Sequence, residues 1–104
     1  ERNSNPSWFG FPFTASEDAG FTRNELTQYL ENKKIQTRTL FAGNIIKHPA
    51  FDEMRETGEG YRIVGELPVT DYVMNNTLWI GVFPGMTDSM LDYMIATIKE
   101  FCNR

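Results

Sequence analysis

The sequence predicts a two-layer α/β sandwich, with helices on one face of a small sheet of about three strands. Segments rich in aromatic and β-branched residues alternate with segments of helical periodicity, in the order strand, helix, strand, loop, short helix, strand, helix. The chain has 104 residues, of which 40% are hydrophobic and 13% aromatic, which suffices for one domain with a modest core. No internal repeat or low-complexity tract interrupts this order.

The chain opens with a predicted edge strand and a capped helix. Residues 8–14 (WFGFPFT) favour a strand, and Pro12 restricts it to an edge or an irregular strand because proline cannot donate a ladder hydrogen bond. Thr22 and Glu25 match the capping-box pattern at a helix start. A helix is therefore expected over about 23–33.

A second strand is expected over about 35–41, where threonine and isoleucine are frequent. Alternation along a strand places the Arg38 side chain on the face opposite those of its two neighbours. An arginine in such a strand points at solvent, at a carboxylate or at an anionic ligand. The glycine-bearing, highly charged segment 51–61 has no clear period and is expected to be a mobile loop.

The last third of the chain contains a short helix, a strand and a long helix. Thr70 and Asp71 can open a helix that runs to about Asn76. Residues 78–83 (LWIGVF) form a compact apolar strand that ends at a Pro-Gly pair. A threonine-capped helix is expected over 88–102, with an apolar stripe at helical spacing.

Charge and composition exclude several classes of function. The net charge is −4 and the ten basic residues are scattered, which argues against a nucleic-acid groove. A single cysteine (Cys102) and a single histidine (His48) exclude a disulfide framework, a zinc site and a catalytic triad within this chain. No segment has the length of a membrane span and no signal peptide is evident, so a cytoplasmic protein without membrane partners is expected.

Three segments carry a resemblance to a known family: the KIQTR unit after the first helix, TRTLFAGN, and LWIGVFPGMTDSMLDYMI. From about Ser7 to Phe101, the chain resembles the C-terminal small domain of the pyridoxal-phosphate-dependent sugar aminotransferase family (DegT/DnrJ type, fold type I). More narrowly, TRTLFAGN is similar to the branch of nucleotide-linked 4-keto-6-deoxyhexose 3-dehydrases. Sugar aminotransferases carry a histidine after this stretch, which would align with Ile46, so His48 does not inherit its role.

The resemblance implies a division into a linker, residues 1–6, and a C-terminal small domain, residues 7–104, of a larger enzyme. It implies C3 deoxygenation of CDP-4-keto-6-deoxyglucose or a similar substrate, in the biosynthesis of lipopolysaccharide and O-antigen sugars. The cofactor that it implies is pyridoxal or pyridoxamine phosphate, which would be bound mainly by a large domain upstream of this chain. In the family the residue facing the cofactor aldehyde is lysine in aminotransferases and histidine in dehydrases, and it lies upstream together with any iron–sulfur cysteines.

Within this chain the resemblance therefore implies no catalytic residue and no metal ligand. It assigns Arg38 to the anionic nucleotide-sugar or cofactor, and Phe41 and Asn44 to the sugar pocket. It also implies a homodimeric full-length protein and a reductase partner. Two alternatives stay open: a nucleotide-sugar aminotransferase, and a non-enzymatic α/β binding module of similar architecture.

Overall fold

The computed structural model describes residues 3–104 and confirms the predicted fold class. The three strands form one antiparallel sheet in the order β1-β3-β2, so β1 and β2 are its edges. The elements are β1 (Gly10–Thr14), α1 (Arg23–Asn32), β2 (Thr37–Thr39), α2 (Asp52–Thr57), α3 (Pro68–Asn76), β3 (Thr77–Gly81) and α4 (Asp88–Cys102). Among the described residues, no helix is long and apolar enough to cross a membrane.

The core lies between one face of the sheet and the helices α1 and α4. Leu30 of α1 and Leu78 of β3 are the most completely buried side chains, with 0% and 1% of their surface exposed. Four further buried residues complete this core: Leu26, Ile35, Ile80 and Phe101. Removing this apolar surface from water stabilises the sandwich, because each buried aliphatic or aromatic side chain contributes roughly 1.5–3 kcal/mol.

Helix α1 has the predicted start and a well-defined end. The Thr22 Oγ1 atom accepts a hydrogen bond from Glu25 N at 3.2 Å, and Glu25 Oε2 accepts from Thr22 N at 2.7 Å. At the other end, Lys34 has a φ of 64°, and Ile35 N donates to Leu30 O at 2.9 Å. This Schellman-type turn directs Ile35 into the core and leaves Lys34 exposed.

Side chains protect the outer edge of β2. The Glu31 carboxylate accepts hydrogen bonds from Thr37 N at 2.6 Å and from Thr37 Oγ1 at 2.8 Å. Further along, Thr39 O accepts from Trp79 Nε1 at 3.0 Å. Satisfied backbone groups leave fewer places where another strand could pair with this edge.

The Glu31 contact predicts a pH-dependent effect on stability. Hydrogen bonds from the Thr37 backbone and then its hydroxyl lower the pKa of Glu31 below 4.5. Since the native pKa is depressed, the stabilisation is present above pH 4.5 and is lost as the pH falls through the native pKa. Glu31→Gln is expected to lower the melting temperature at neutral pH, and the gap to the wild type should close in acid. A gap that is equally large at pH 3 would contradict this.

Two helices differ from the sequence expectation. The prediction of a loop over 51–61 is wrong for Asp52–Thr57, which form α2, because acidic residues occupy its first turn and Gly58 ends it with a φ of 73°. Helix α3 begins at Pro68 rather than near Asp71, since proline fits the first turn of a helix.

The strands are shorter than expected, and the linker prediction is only partly described. β2 covers three residues instead of seven because its ladder with β3 ends at Thr39 and the backbone turns at Phe41. Residues 3–6 are exposed and have no regular helix or strand. Glu1 and Arg2, the other residues of the predicted linker, lie outside the described residues.

Candidate functional site

One face of the sheet is not covered by α1 and α4, and it carries both Arg38 and Trp79. These two residues are direct partners in the β2–β3 ladder, so their side chains share this face. The Trp79 ring lies over Gly10 of β1. A Cβ atom at that position would come within 2.6 Å of Trp79 Cε3, so the glycine makes room for the ring.

Phe41 extends the aromatic surface beyond the end of β2. Its ring centroid lies 6.1 Å from Trp79 and 6.4 Å from Phe9, and the Phe9 and Trp79 rings meet edge-on at 5.3 Å. We refer to Phe9, Phe41 and Trp79 as the aromatic cluster. Phe41 is 72% exposed and has a φ of 43°, a left-handed conformation that costs a non-glycine residue roughly 1–2 kcal/mol. Strain of this kind persists only where the surrounding structure holds it.

Asn44 attaches the loop after Phe41 to helix α3. Only 4% of its surface is exposed, and its Nδ2 donates to Asp71 Oδ1 at 2.8 Å. Lys47 Nζ reaches the second oxygen of the same carboxylate at 2.6 Å. Lys47 first and Asn44 second lower the pKa of Asp71 below its ordinary value. Asn44 therefore contributes to the site by fixing the loop, while its amide donor is engaged by Asp71.

Further contacts hold the same loop from its other side. A His48 ring nitrogen bonds the carbonyl oxygen of Ala42, and Arg55 Nη1 donates to the carbonyls of Ile46 and His48. Gly43 has a φ of 59° and packs so closely on Met74 that a side chain there would overlap it. The His48 ring therefore supports the loop that carries Phe41.

Removal of the Asn44 amide is expected to destabilise the protein. Asn44→Ala deletes a buried hydrogen bond to a charged partner, which corresponds to a loss of roughly 1.5–3 kcal/mol in unfolding free energy. Urea denaturation measures this change. The matched control is Asn75→Ala on the exposed side of α3, for which a change within about 0.5 kcal/mol is expected. Equal losses in the two variants would contradict the role of Asn44 as the attachment point.

Arg38 is exposed but held in place by its neighbours. Its Nη1 donates to Thr37 O at 3.0 Å. The Gln36 amide, with its oxygen toward the guanidinium, accepts from Arg38 Nη1 at 3.0 Å and from Nη2 at 2.9 Å. Within residues 3–104, no carboxylate forms an ion pair with Arg38. The Glu31 carboxylate is close enough for the charge of Arg38 to help lower its pKa, but it is held by Thr37, so the guanidinium can still meet an anion from solution.

The residues present do not form a pyridoxal-phosphate site by themselves. Such a site needs an enclosed pocket and groups that hold the ring nitrogen and the phosphate. In the described part of the chain no lysine is buried, and the Asp71 carboxylate is already engaged by Asn44 and Lys47. Arg38 and the aromatic cluster can form only one wall of such a pocket.

Sequence reasoning gave no role in the site to three residues that line it or hold its loop, namely Trp79, Lys34 and Asp71. Trp79 could have been found from the alternation in LWIG, because a residue between two buried strand positions faces the other side of a sheet. Lys34 lies at the predicted helix end, where a lysine complements the helix dipole and is usually solvated, so its position gave no sign of a site. Asp71 gave no usable signal, because its partners lie 24 and 27 positions away in the chain.

Known proteins match this chain over most of its length. The model of the DegT/DnrJ/EryC1/StrS aminotransferase family matches residues 1–99. The dTDP-4-dehydro-2,6-dideoxy-D-glucose 3-dehydratase of Saccharopolyspora spinosa is 52% identical over 95% of this chain and 20% of its own length. The lipopolysaccharide biosynthesis protein RfbH of Salmonella typhimurium is 50% identical over 94% of this chain and 21% of its own length. The chain thus spans about one fifth of the relatives that it matches.

Two solved structures of one enzyme share the fold. GDP-4-keto-6-deoxymannose-3-dehydratase (ColD) with bound GDP-perosamine superposes with a TM-score of 0.72 at 24% identity, over 86% of this chain and 22% of that chain. The E coli GDP-4-keto-6-deoxy-D-mannose-3-dehydratase with bound hydrated PLP gives a TM-score of 0.70 at 22% identity, over the same shares. At these identities the agreement concerns the fold.

Proposed function

The chain belongs to the DegT/DnrJ/EryC1/StrS aminotransferase family, and from this premise we propose that its full-length protein is a pyridoxal-phosphate-dependent nucleotide-sugar 3-dehydratase. Residues 7–104 form the C-terminal small domain in this proposal. The observation that carries it is the 52% identity to a 3-dehydratase over 95% of the chain. The reaction is removal of the C3 hydroxyl from a nucleotide-linked 4-keto-6-deoxyhexose or a close analogue.

The chain's own residues bind and orient the substrate. Arg38 meets an anionic group of the nucleotide-sugar, since its guanidinium is preorganised by Thr37 and Gln36 and forms no ion pair within residues 3–104. Phe41 closes an apolar wall that keeps water from the sugar, and Asn44 holds Phe41 in place through Asp71. The cofactor, when bound, supplies the electron sink for loss of the hydroxyl.

Several finer features belong to this proposal through the family resemblance alone. The full-length protein is a cytoplasmic homodimer that acts in lipopolysaccharide sugar biosynthesis. A separate reductase delivers electrons, and any iron–sulfur cluster lies outside this chain.

The proposal is tested by the fate of oxygen and nitrogen on the sugar. Full-length protein is incubated with pyridoxamine phosphate, a dTDP-linked 4-keto-6-deoxyhexose, a chemical reductant and ¹⁵N-glutamate, and the sugar is analysed by mass spectrometry. Loss of the C3 oxygen without incorporation of label is the expected result. Incorporation of ¹⁵N into the sugar would indicate an aminotransferase instead. No change in the sugar, with folded and cofactor-loaded protein, would favour a non-enzymatic binding module.

A further inference from the structure

A groove of about 540 Å³ lies where β2 begins and β3 ends, next to the first half of α4. We call it the Lys34 groove. It is continuous with the open face of the sheet, because Arg38 and Trp79 line it too. The side chains that matter for its chemistry are Lys34, Arg38, Trp79, Phe83, Ser89 and Tyr93.

The groove is positively charged in an otherwise acidic chain. Lys34 and Arg38 line it, no aspartate or glutamate does, and the net charge of the chain is −4. Within residues 3–104 neither cation forms an ion pair, whereas the adjacent Lys33 pairs with Glu100 at 3.5 Å. Glu31 interacts with the charge of Arg38 but does not line the groove, so the two cations in this concavity are suited to a phosphate-bearing ligand.

The start of helix α4 adds to this potential. Ser89 and Met90 belong to the first turn of α4, a helix of 15 residues, and both line the groove. The amino end of a helix carries a partial positive charge that favours anions nearby. Thr87 already caps the Met90 N–H at 3.3 Å, so the contribution of the helix here is its dipole rather than a free donor.

The remaining wall is aromatic. Phe83 is 55% exposed and Tyr93 is 50% exposed, so both rings present surface to a ligand. Tyr93 is oriented by a hydrogen bond from its hydroxyl to Lys33 O at 2.9 Å. Exposed rings beside cations are the features by which proteins stack a base and hold its phosphates.

We propose that the Lys34 groove binds the nucleoside diphosphate of the substrate, with Lys34 and Arg38 on the phosphates and the base against Phe83 and Tyr93. This inference rests on the proposed function, which supplies a nucleotide-linked substrate. Lys34 and Phe41 lie on either side of β2, seven positions apart, so at most about 23 Å of extended chain separates them. With the diphosphate at Arg38, the sugar would extend along the open face of the sheet toward Phe41.

The first test compares binding of nucleoside diphosphates to two lysine variants of the full-length protein. Titration calorimetry with dTDP and with GDP is expected to give a Kd that is roughly five- to tenfold higher for Lys34→Met than for the wild type. The matched control is Lys99→Met, which removes an equal charge from α4 outside the groove. Equal affinities of the two variants for both nucleotides would overturn the proposal.

Pyridoxal phosphate is also an aromatic phosphate, and a second titration separates the two ligands. Lys34→Met is expected to leave the affinity for pyridoxal phosphate unchanged. Weaker binding of pyridoxal phosphate with unchanged binding of dTDP and GDP would assign the groove to the cofactor and overturn the proposal. Phe83→Ala should weaken binding of dTDP and GDP while inorganic pyrophosphate binds as before. Unchanged binding of both nucleotides to Phe83→Ala would show that the base does not stack on Phe83.

Failure of this inference can be distinguished from failure of the proposed function. If the sugar loses its C3 oxygen and Lys34→Met binds nucleotides like the wild type, only the groove assignment fails. If nucleotide binding depends on Lys34 and no dehydration occurs, the groove is confirmed as the nucleotide site and the proposed reaction is wrong.

Discussion

Replacing Arg38 by methionine is expected to lower kcat/KM of the full-length protein for its nucleotide-sugar roughly 10- to 100-fold. The reason is the loss of a charged hydrogen bond to the substrate, which corresponds to roughly 1.5–3 kcal/mol. Methionine keeps much of the side-chain length, so the fold should tolerate the change. Steady-state kinetics measure the effect, and thermal unfolding verifies that the variant is folded.

Two controls make this result specific. Arg62→Met removes an exposed arginine that lies outside the helices and strands, and it should leave kcat/KM within about twofold of the wild type. Arg38→Lys retains the charge but not the planar guanidinium, so it should give an intermediate loss. A folded Arg38→Met enzyme with unchanged kcat/KM would show that Arg38 does not bind the substrate.

Leu30→Ala is expected to cause the largest loss of stability, about 3–4 kcal/mol of unfolding free energy. Leu30 of α1 is fully buried against β3 and α4. Alanine at this position therefore leaves a cavity in addition to the lost apolar contact. Urea denaturation monitored by circular dichroism measures the change. The control is Val69→Ala, whose side chain is 73% exposed and whose truncation should cost less than about 0.5 kcal/mol.

A loss below about 1 kcal/mol for Leu30→Ala would contradict the placement of this core. Such a result would mean that the site can collapse around alanine, or that α1 does not pack on the sheet as described. The same experiment on Leu78→Ala checks the opposite wall of the core, since Leu78 is 1% exposed. Similar losses are expected at both positions.

Local signals predicted the helices best. The capping box of Thr22 and Glu25 involves contacts within three residues, so the sequence alone identifies it. The same holds for α4, whose apolar stripe and capping threonine predict its bounds as found. Helix α2 was missed because the segment 51–61 has no apolar period, and its ends depend on acidic residues and on Gly58.

Long-range contacts explain what the sequence left undetermined at the site. Arg38 was recognised as a candidate because an arginine is unusual in a strand of β-formers. The engagement of Asn44 by Asp71 joins positions that are 27 residues apart, which no local pattern reveals. The same is true of the Lys34 groove, because the fold brings Tyr93 of α4 next to the turn that carries Lys34, 59 positions earlier in the chain.

The most direct measurement of the central claim is covalent trapping of the cofactor in the full-length protein. The protein is loaded with pyridoxal phosphate, treated with borohydride and digested, and its peptides are analysed by mass spectrometry. The family resemblance implies that a 3-dehydratase lacks the lysine that faces the cofactor, so we expect that no lysine peptide carries the reduced cofactor. A lysine peptide that carries the reduced cofactor in good yield would rule out the 3-dehydratase assignment and indicate an aminotransferase.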